Sequence, residues 1–169
     1  MGSKCLAAAA ALMLGLAFPA AEAAARTPVS FKTDQWAGTI VISHKERALY
    51  LVQRGGKALR YRVALGKAGK DWFGTAYVRG KYVKPAWSPP ADVLRDKPFL
   101  PKVIPGGSPK NPMGPRAILL DRDEIAIHGT NRPSSIGTYA SYGCIRMMNA
   151  DVIDLFDRVE KGTKVVVVP

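Results

Sequence analysis

The stretch I-H-G-T-N-R-P-S-S-I-G-T-Y-A-S-Y-G-C-I-R-M-M, from Ile127 to Met148, holds one of the chain's two histidines and one of its two cysteines. A thiol attacks as thiolate, and an imidazole is the usual base that makes one. Either residue alone is more often an inert core side chain. The setting of Cys144 argues otherwise. Gly143 directly before it frees the backbone for a turn, and Ser141, Tyr142 and Arg146 are polar neighbours that an apolar core would exclude.

Strand signals lead into this stretch. Arg116-Ala117-Ile118-Leu119-Leu120 and Glu124-Ile125-Ala126-Ile127 read as two strands joined at Asp121-Arg122-Asp123, and the second delivers His128 at its end. Beyond Cys144 the period changes. Val152, Leu155, Phe156 and Val159 form an i, i+3, i+4, i+7 stripe, with Asn149 placed as N-cap, Asp151 and Asp154 in the early turns, and Lys161-Gly162 as the stop. Lys164 to Val168 reads as a closing strand whose four valines predict burial on both faces.

Toward the N-terminus, Thr39 to Ser43 and Ala48 to Val52 are strand-like, and Ala58 to Ala64 alternates beyond Gly55-Gly56, which predicts a hairpin. His44, in S-H-K-E-R, reads as a solvated turn residue without a catalytic role. From Gly66 to Gly114 the density of Gly, Pro and Trp excludes helix. It predicts long loops around one short strand at Ala76 to Val83, and loops of that length commonly serve binding. The expected fold class is mainly β, with long loops and one helix after Cys144.

Residues 1–25 read as an export signal: Lys4, an apolar run from Leu6 to Phe18, Pro19, then small residues suited to cleavage around Ala21-Glu22-Ala23 or Ala23-Ala24-Ala25. The run falls short of the roughly 18 to 20 residues that a membrane span needs. Residues 26–38 lack periodicity and read as a poorly ordered lead-in, leaving 39–169 as one domain. Loss of the signal removes Cys5, so Cys144 becomes the only thiol. A free thiol in an oxidising compartment is a liability unless it does chemistry. One Cys and two separated His are too few for a zinc site, and no metal or cofactor is expected.

The net charge of +12 survives processing, because Lys4 and Glu22 leave together. A basic exported protein favours anionic partners. Export, and the lack of regular basic–aromatic interleaving, exclude nucleic acid and favour cell-wall polymer, anionic lipid or acidic peptides. The expected location is periplasmic or cell-wall-associated.

His128 can take the proton of Cys144 to give a thiolate–imidazolium pair at neutral pH, where a free cysteine of pKa about 8.5 is mostly thiol. The amides of Gly143 and Cys144 are placed in sequence to stabilise an oxyanion. Arg146 can grip a carboxylate with two hydrogen bonds, or equally pair with Asp151 or Asp154. No carboxylate stands out as a third member, and a backbone carbonyl such as that of Gly129 can orient the imidazole instead. The residues point to an exported cysteine acyl-transfer enzyme.

Taken in order, these segments resemble the L,D-transpeptidase catalytic domain (the YkuD family), whose signature is H-G-T, a spacer with S-I-G, then S-H-G-C followed by I-R or V-N. I-V-I-S…L-Y-L-V, N-P-M-G-P-R-A and G-T-K-V-V-V also resemble family segments, so the likeness runs from Thr39 to Val168. It implies a YkuD-like β-sandwich and a peptidoglycan L,D-transpeptidase. In such an enzyme the cysteine attacks the carbonyl at the L-centre of the diamino acid in a stem tetrapeptide. D-Alanine leaves, and the acyl group passes to an amine of another stem (a 3→3 cross-link) or of an outer-membrane or wall-attached protein. On this chain it makes Cys144 the nucleophile and His128 the general base, then acid. Ser141 and Gly143 shape the oxyanion loop, and Arg146, Gly129 and Tyr142 are substrate-side candidates.

The same site can instead pass the acyl group to water, as a carboxypeptidase or endopeptidase. A non-catalytic wall-binding protein is the reading from another class. Two positions depart from the family pattern. Tyr142 stands where histidine is common, and W-F-G-T-A-Y (Trp72 to Tyr77) stands where many members show T-P-x-G.

Overall fold

The computed structural model of the chain describes residues 27–122 and 124–169, and the expected export signal lies outside them. The described residues form ten strands: β1 (Thr27–Ser30), β2 (Ile40–Ser43), β3 (Ala48–Gln53), β4 (Lys57–Gly66), β5 (Gly74–Val83), β6 (Arg116–Leu120), β7 (Ala126–His128), β8 (Tyr139–Ser141), β9 (Ile145–Met147) and β10 (Lys164–Val168). Two α-helices accompany them, α1 (Ala91–Asp96) and α2 (Asn149–Arg158). The chain is mainly strand, as its sequence predicts.

The two longest strands build the sandwich, because each belongs to both layers. The first half of β4 pairs with β1 and β3, while Val63 and Ala64 pair with Met147 and Arg146 of β9. The start of β5 pairs with β10, and its remainder, beyond an irregularity between Val78 and Gly80, pairs with β6. One layer is thus β1-β4-β3-β2-β10-β5 and the other β5-β6-β7-β9-β4. Strands that bend from one sheet into the next make the corners of such a sandwich. Between the layers lie Ile40, Ile42, Leu49, Tyr61, Ile118, Ile127, Ile145 and Met147, all fully buried or nearly so. The apolar stripe of α2 adds Val152 and Leu155 to this core, and Tyr61 Oη donates to Asp154 Oδ2 at 2.7 Å.

The structure corrects the sequence reading at five places. The 26–38 lead-in contains β1, paired antiparallel with β4. Beyond it Phe31 stacks on Tyr50 at 4.4 Å, covering a second small apolar cluster on the outer face of β2–β4. Helix was excluded between Gly66 and Gly114, yet α1 forms after Pro89-Pro90, since proline is tolerated immediately before a helix. Met148, not Asn149, is the N-cap of α2, and the Asn149 side-chain Oδ1 accepts the Thr130 amide at 2.8 Å. The valines of β10 alternate, with Val165 and Val167 buried and Val168 37% exposed, because β10 has one face on the core and one near solvent. His44 is half-buried rather than solvated, stacked on Tyr139 at 4.7 Å with Phe73 edge-on at 5.4 Å.

Candidate active site

Residues distant in sequence become neighbours through one parallel pairing. Ile127 and Ile145 are drawn into the core side by side, which sets β7 beside β9 with His128 opposite Arg146. Cys144, immediately before β9, is two residues before Arg146, the partner of His128, so alternation along the strands sets it diagonally from His128 on the same face of the sheet. Both line one cleft of about 400 Å³, together with Arg146, Ser141, Tyr142 and Trp87.

His128 is only 4% exposed, and its Nδ1 lies 2.7 Å from the Gly129 carbonyl oxygen. A ring N–H donating to that carbonyl leaves the other nitrogen as a proton acceptor. The peptide holding this carbonyl is itself fixed, because its N–H, that of Thr130, donates to Asn149 Oδ1 at 2.8 Å, and the Gly129 amide before it donates to Arg116 O at 3.2 Å. There is no room for a side chain at Gly129: a Cβ would sit 2.4 Å from Asn149 Oδ1. Burial and, second, the Arg146 guanidinium push the imidazole pKa down to about 4, against the carbonyls of Gly129 and Pro112.

Cys144 is a free, half-buried cysteine whose Sγ–H donates to the Glu124 carbonyl at 3.5 Å. Burial is the main force that raises its thiol pKa; the Ala126 backbone and Arg146 oppose it, and Glu124 adds to it. Desolvation thus penalises the charged form of each partner, which weighs against the thiolate–imidazolium pair expected from the sequence.

The turn before Cys144 is internally braced. Ser141 Oγ donates to the Cys144 carbonyl at 2.5 Å and accepts the Gly143 amide at 3.2 Å. Gly143 has φ +114°, and a Cβ there would meet Ile125 Cδ1 at 2.8 Å, so the turn requires glycine. Trp72, at the head of the departing W-F-G-T-A-Y segment, donates its indole N–H to the Gly143 carbonyl at 3.1 Å. The Gly143 amide, one of the two oxyanion donors expected from the sequence, is thus engaged by Ser141.

Tyr142 is a bridge. Its hydroxyl donates to Asp96 at the end of α1, and Lys67 Nζ lies 4.0 Å from its ring centroid and 3.0 Å from Asp96 Oδ2. These two partners, Tyr142 first, hold the Asp96 carboxyl below the usual carboxylate range. Lys70 pairs with Asp92 on the same helix. Of the two acids offered as partners for Arg146, Asp154 is engaged by Tyr61 and by Arg158, whose two nitrogens donate at 2.9 Å each.

Sequence reading gave no role to Asn111, which is 2% exposed. Its Nδ2 donates to the carbonyls of Pro85, Ile104 and Pro105 at 2.9, 3.2 and 3.1 Å, and its Oδ1 accepts the Met113 amide at 2.8 Å. It pins the loop that brings Pro112 and Met113 to the cleft. The signal was present in N-P-M-G-P-R-A, but only as likeness. The α1 tether (Lys67, Lys70, Asp92, Asp96) had no signal, because each is an ordinary charged residue in a loop. Among the described residues, no group of three or more His, Cys, Asp or Glu is placed to hold a metal ion. No helix among them is long and apolar enough to cross a membrane.

The family model for the L,D-transpeptidase catalytic domain (YkuD) matches residues 37–167. The chain is 38% identical over 136 residues to the "probable L,D-transpeptidase YbiS" of Escherichia coli K12, covering 75% of this chain and 43% of that protein. It is 37% identical over 138 residues to the "probable L,D-transpeptidase ErfK/SrfK" of Salmonella typhimurium, covering 76% and 43%. The match thus spans less than half the length of these relatives. Among solved structures, an L,D-transpeptidase from Mycobacterium smegmatis superposes with a TM-score of 0.62 at 16% identity, covering 78% of this chain and 58% of that one. L,D-transpeptidase 3 from Mycobacterium tuberculosis does so with 0.58 at 14% identity, covering 78% and 60%. At these identities the structures show the shared fold.

Proposed function

The chain belongs to the family of L,D-transpeptidase catalytic domains, and from that premise we propose that it is a peptidoglycan L,D-transpeptidase working through Cys144. The observation that carries this reading is the juxtaposition of a free thiol with a buried imidazole whose Nδ1 is anchored on a carbonyl, both facing one cleft. With Nδ1–H donating to Gly129, Nε2 is the nitrogen that takes a proton.

As the donor stem enters, Nε2 removes the thiol proton while Sγ bonds to the carbonyl carbon at the L-centre of the diamino acid. The charge that develops on the carbonyl oxygen is met by the Cys144 amide, at the end of the turn braced by Ser141 and Trp72. The imidazolium returns its proton to the departing nitrogen, the C–N bond breaks, and D-alanine leaves a thioester. An acceptor amine then attacks, gives its proton to His128, and the sulfur departs to be reprotonated. General base catalysis of this kind contributes about 10²–10⁴-fold. Arg146, on the strand beside His128, is suited to hold the carboxylate of the leaving residue. We place the activity outside the cytoplasm, on the strength of the N-terminal export pattern and of a basic surface suited to an anionic wall polymer.

The test is incubation with disaccharide-tetrapeptide and mass spectrometry of products and protein. Cross-linked dimer is the expected result, tripeptide alone would assign hydrolysis, and no adduct at Cys144 would overturn both. Cys144→Ala should keep its circular dichroism and lose the adduct; turnover at the wild-type rate would refute the nucleophile assignment.

A further inference from the structure

Beside the catalytic cleft opens a smaller cavity of about 160 Å³ that shares Trp87, Val93, Pro112, Tyr142 and Arg146 with it. Its other charged lining is Lys97, Lys110 and Arg132, with no Asp or Glu. Lys67 and Lys70, by contrast, are paired with Asp96 and Asp92. Among the described residues, Lys97, Lys110 and Arg132 have no ion-pair partner.

The backbone under each cation is held in place. The Lys97 amide donates to Val93 O at 2.8 Å at the end of α1. The Lys110 amide donates to Ser108 Oγ at 3.2 Å, and its carbonyl accepts from Asn131 Nδ2 at 3.0 Å. The Arg132 amide donates to Thr130 Oγ1 at 2.9 Å, and its carbonyl accepts Ser135 Oγ at 2.8 Å. Arg132 also faces Arg146 closely enough for its charge to oppose that of the second guanidinium. Like charges gathered against apolar walls (Trp87, Leu100 and Ile104) repel until an anion enters between them.

We propose that this side cavity is a second carboxylate subsite, in which Arg132, Lys97 and Lys110 hold a carboxylate of the donor stem other than the one lost with the leaving residue. The inference rests on the transpeptidase reading and deepens it. A stem peptide has two such groups, one at the far end of the diamino acid side chain and one on the D-glutamyl residue, and both are abolished as charges by amidation. The subsite makes the protein a reader of stem amidation: it selects donors whose second carboxylate is free.

Three synthetic tetrapeptide donors test this: unmodified, amidated at the diamino acid side chain, and amidated at D-glutamate. The readout is kcat/KM for acylation of Cys144. Wild type should lose about tenfold on one of the two amidated donors, the scale of a lost charge-assisted hydrogen bond, and that donor identifies the carboxylate. In Arg132→Gln/Lys97→Gln/Lys110→Gln the preference should vanish because the unmodified donor slows, and Arg132→Gln alone should reduce it. The charge-matched control Lys32→Gln/Lys57→Gln/Lys161→Gln should keep it. The proposal is overturned if wild type ignores both amidations, if the triple variant retains the preference, or if the control loses it equally. Failure of all three donors to acylate the wild-type protein would instead sink the transpeptidase reading itself.

Discussion

Acid should weaken this fold through one residue, and the amount follows from the site. His128 is buried with its pKa pushed from 6.5 to about 4. Above pH 6.5 it is neutral in both folded and unfolded chains, so its contribution is fully present. Between the two values the unfolded chain binds a proton that the folded one refuses, so the unfolding free energy falls as pH falls. Below pH 4 both forms carry the proton and the loss is complete. At about 1.4 kcal/mol per pKa unit the whole window amounts to about 3 kcal/mol, of which about 2 kcal/mol is gone by pH 5. That is a large share of the roughly 5–15 kcal/mol that stabilises a domain. Carboxylates such as Asp92 and Asp96, whose pKa values are lowered by their partners, also lose stability in acid. A reference variant is therefore needed. His128→Gln has no titrating ring and retains an amide that can reach the Gly129 carbonyl. Urea unfolding of both proteins at pH 7, 6 and 5 should show wild type losing about 2 kcal/mol more than the variant between pH 7 and pH 5. Parallel losses in the two proteins would mean that His128 is not held neutral by burial.

Two substitutions test the supports of the site. Asn111→Ala removes four hydrogen bonds and leaves buried carbonyls of the 85–105 loop without their donor, at about 3 kcal/mol; thermal unfolding should show it together with slower acylation, and a loss below about 1 kcal/mol would mean the loop is held by something else. Tyr142→His should change acylation little, because His128 supplies the base and Tyr142 serves as a tether to Asp96. A large gain in acylation rate would show that tyrosine at this position cripples the site.

Periodicity carried the layers of the fold, since apolar alternation in β2 to β4 and β6 to β7 and the stripe of α2 are local signals that tertiary packing reinforced. It failed where local pattern and tertiary context part. Thr27–Ser30 has little strand pattern of its own, and becomes β1 because Phe31 finds the ring of Tyr50 and β4 offers a free edge. The α1 helix is too short to show a period and is held by Lys70, Lys67 and Tyr142, contacts no sequence spacing announces. Cys144 and His128 were legible because their chemistry is rare in the chain. Their ionisation state was not, because it depends on how deeply the β7–β9 pairing buries them. Arg132 and Lys97 were invisible for a third reason: three scattered cations become a site only when loops fold them around one cavity.

The charge state of the pair and the charge of its surroundings belong to one design. A thiolate held beside cationic Arg146 would attract electrophiles and oxidants without any substrate present. Here burial disfavours both the thiolate and the imidazolium, which favours proton transfer in step with a carbonyl that accepts the sulfur as it loses its proton. The positive charge on Arg146 reinforces that restraint, since it too disfavours an imidazolium. A donor stem shifts this balance. Its carboxylate, set against Arg146, offsets the second of the two causes that disfavour the imidazolium, burial being the first, at the moment when His128 must take the proton from Cys144. Binding of an anionic donor and activation of the nucleophile are thereby coupled through the Arg146 guanidinium, a coupling that an uncharged peptide would forgo.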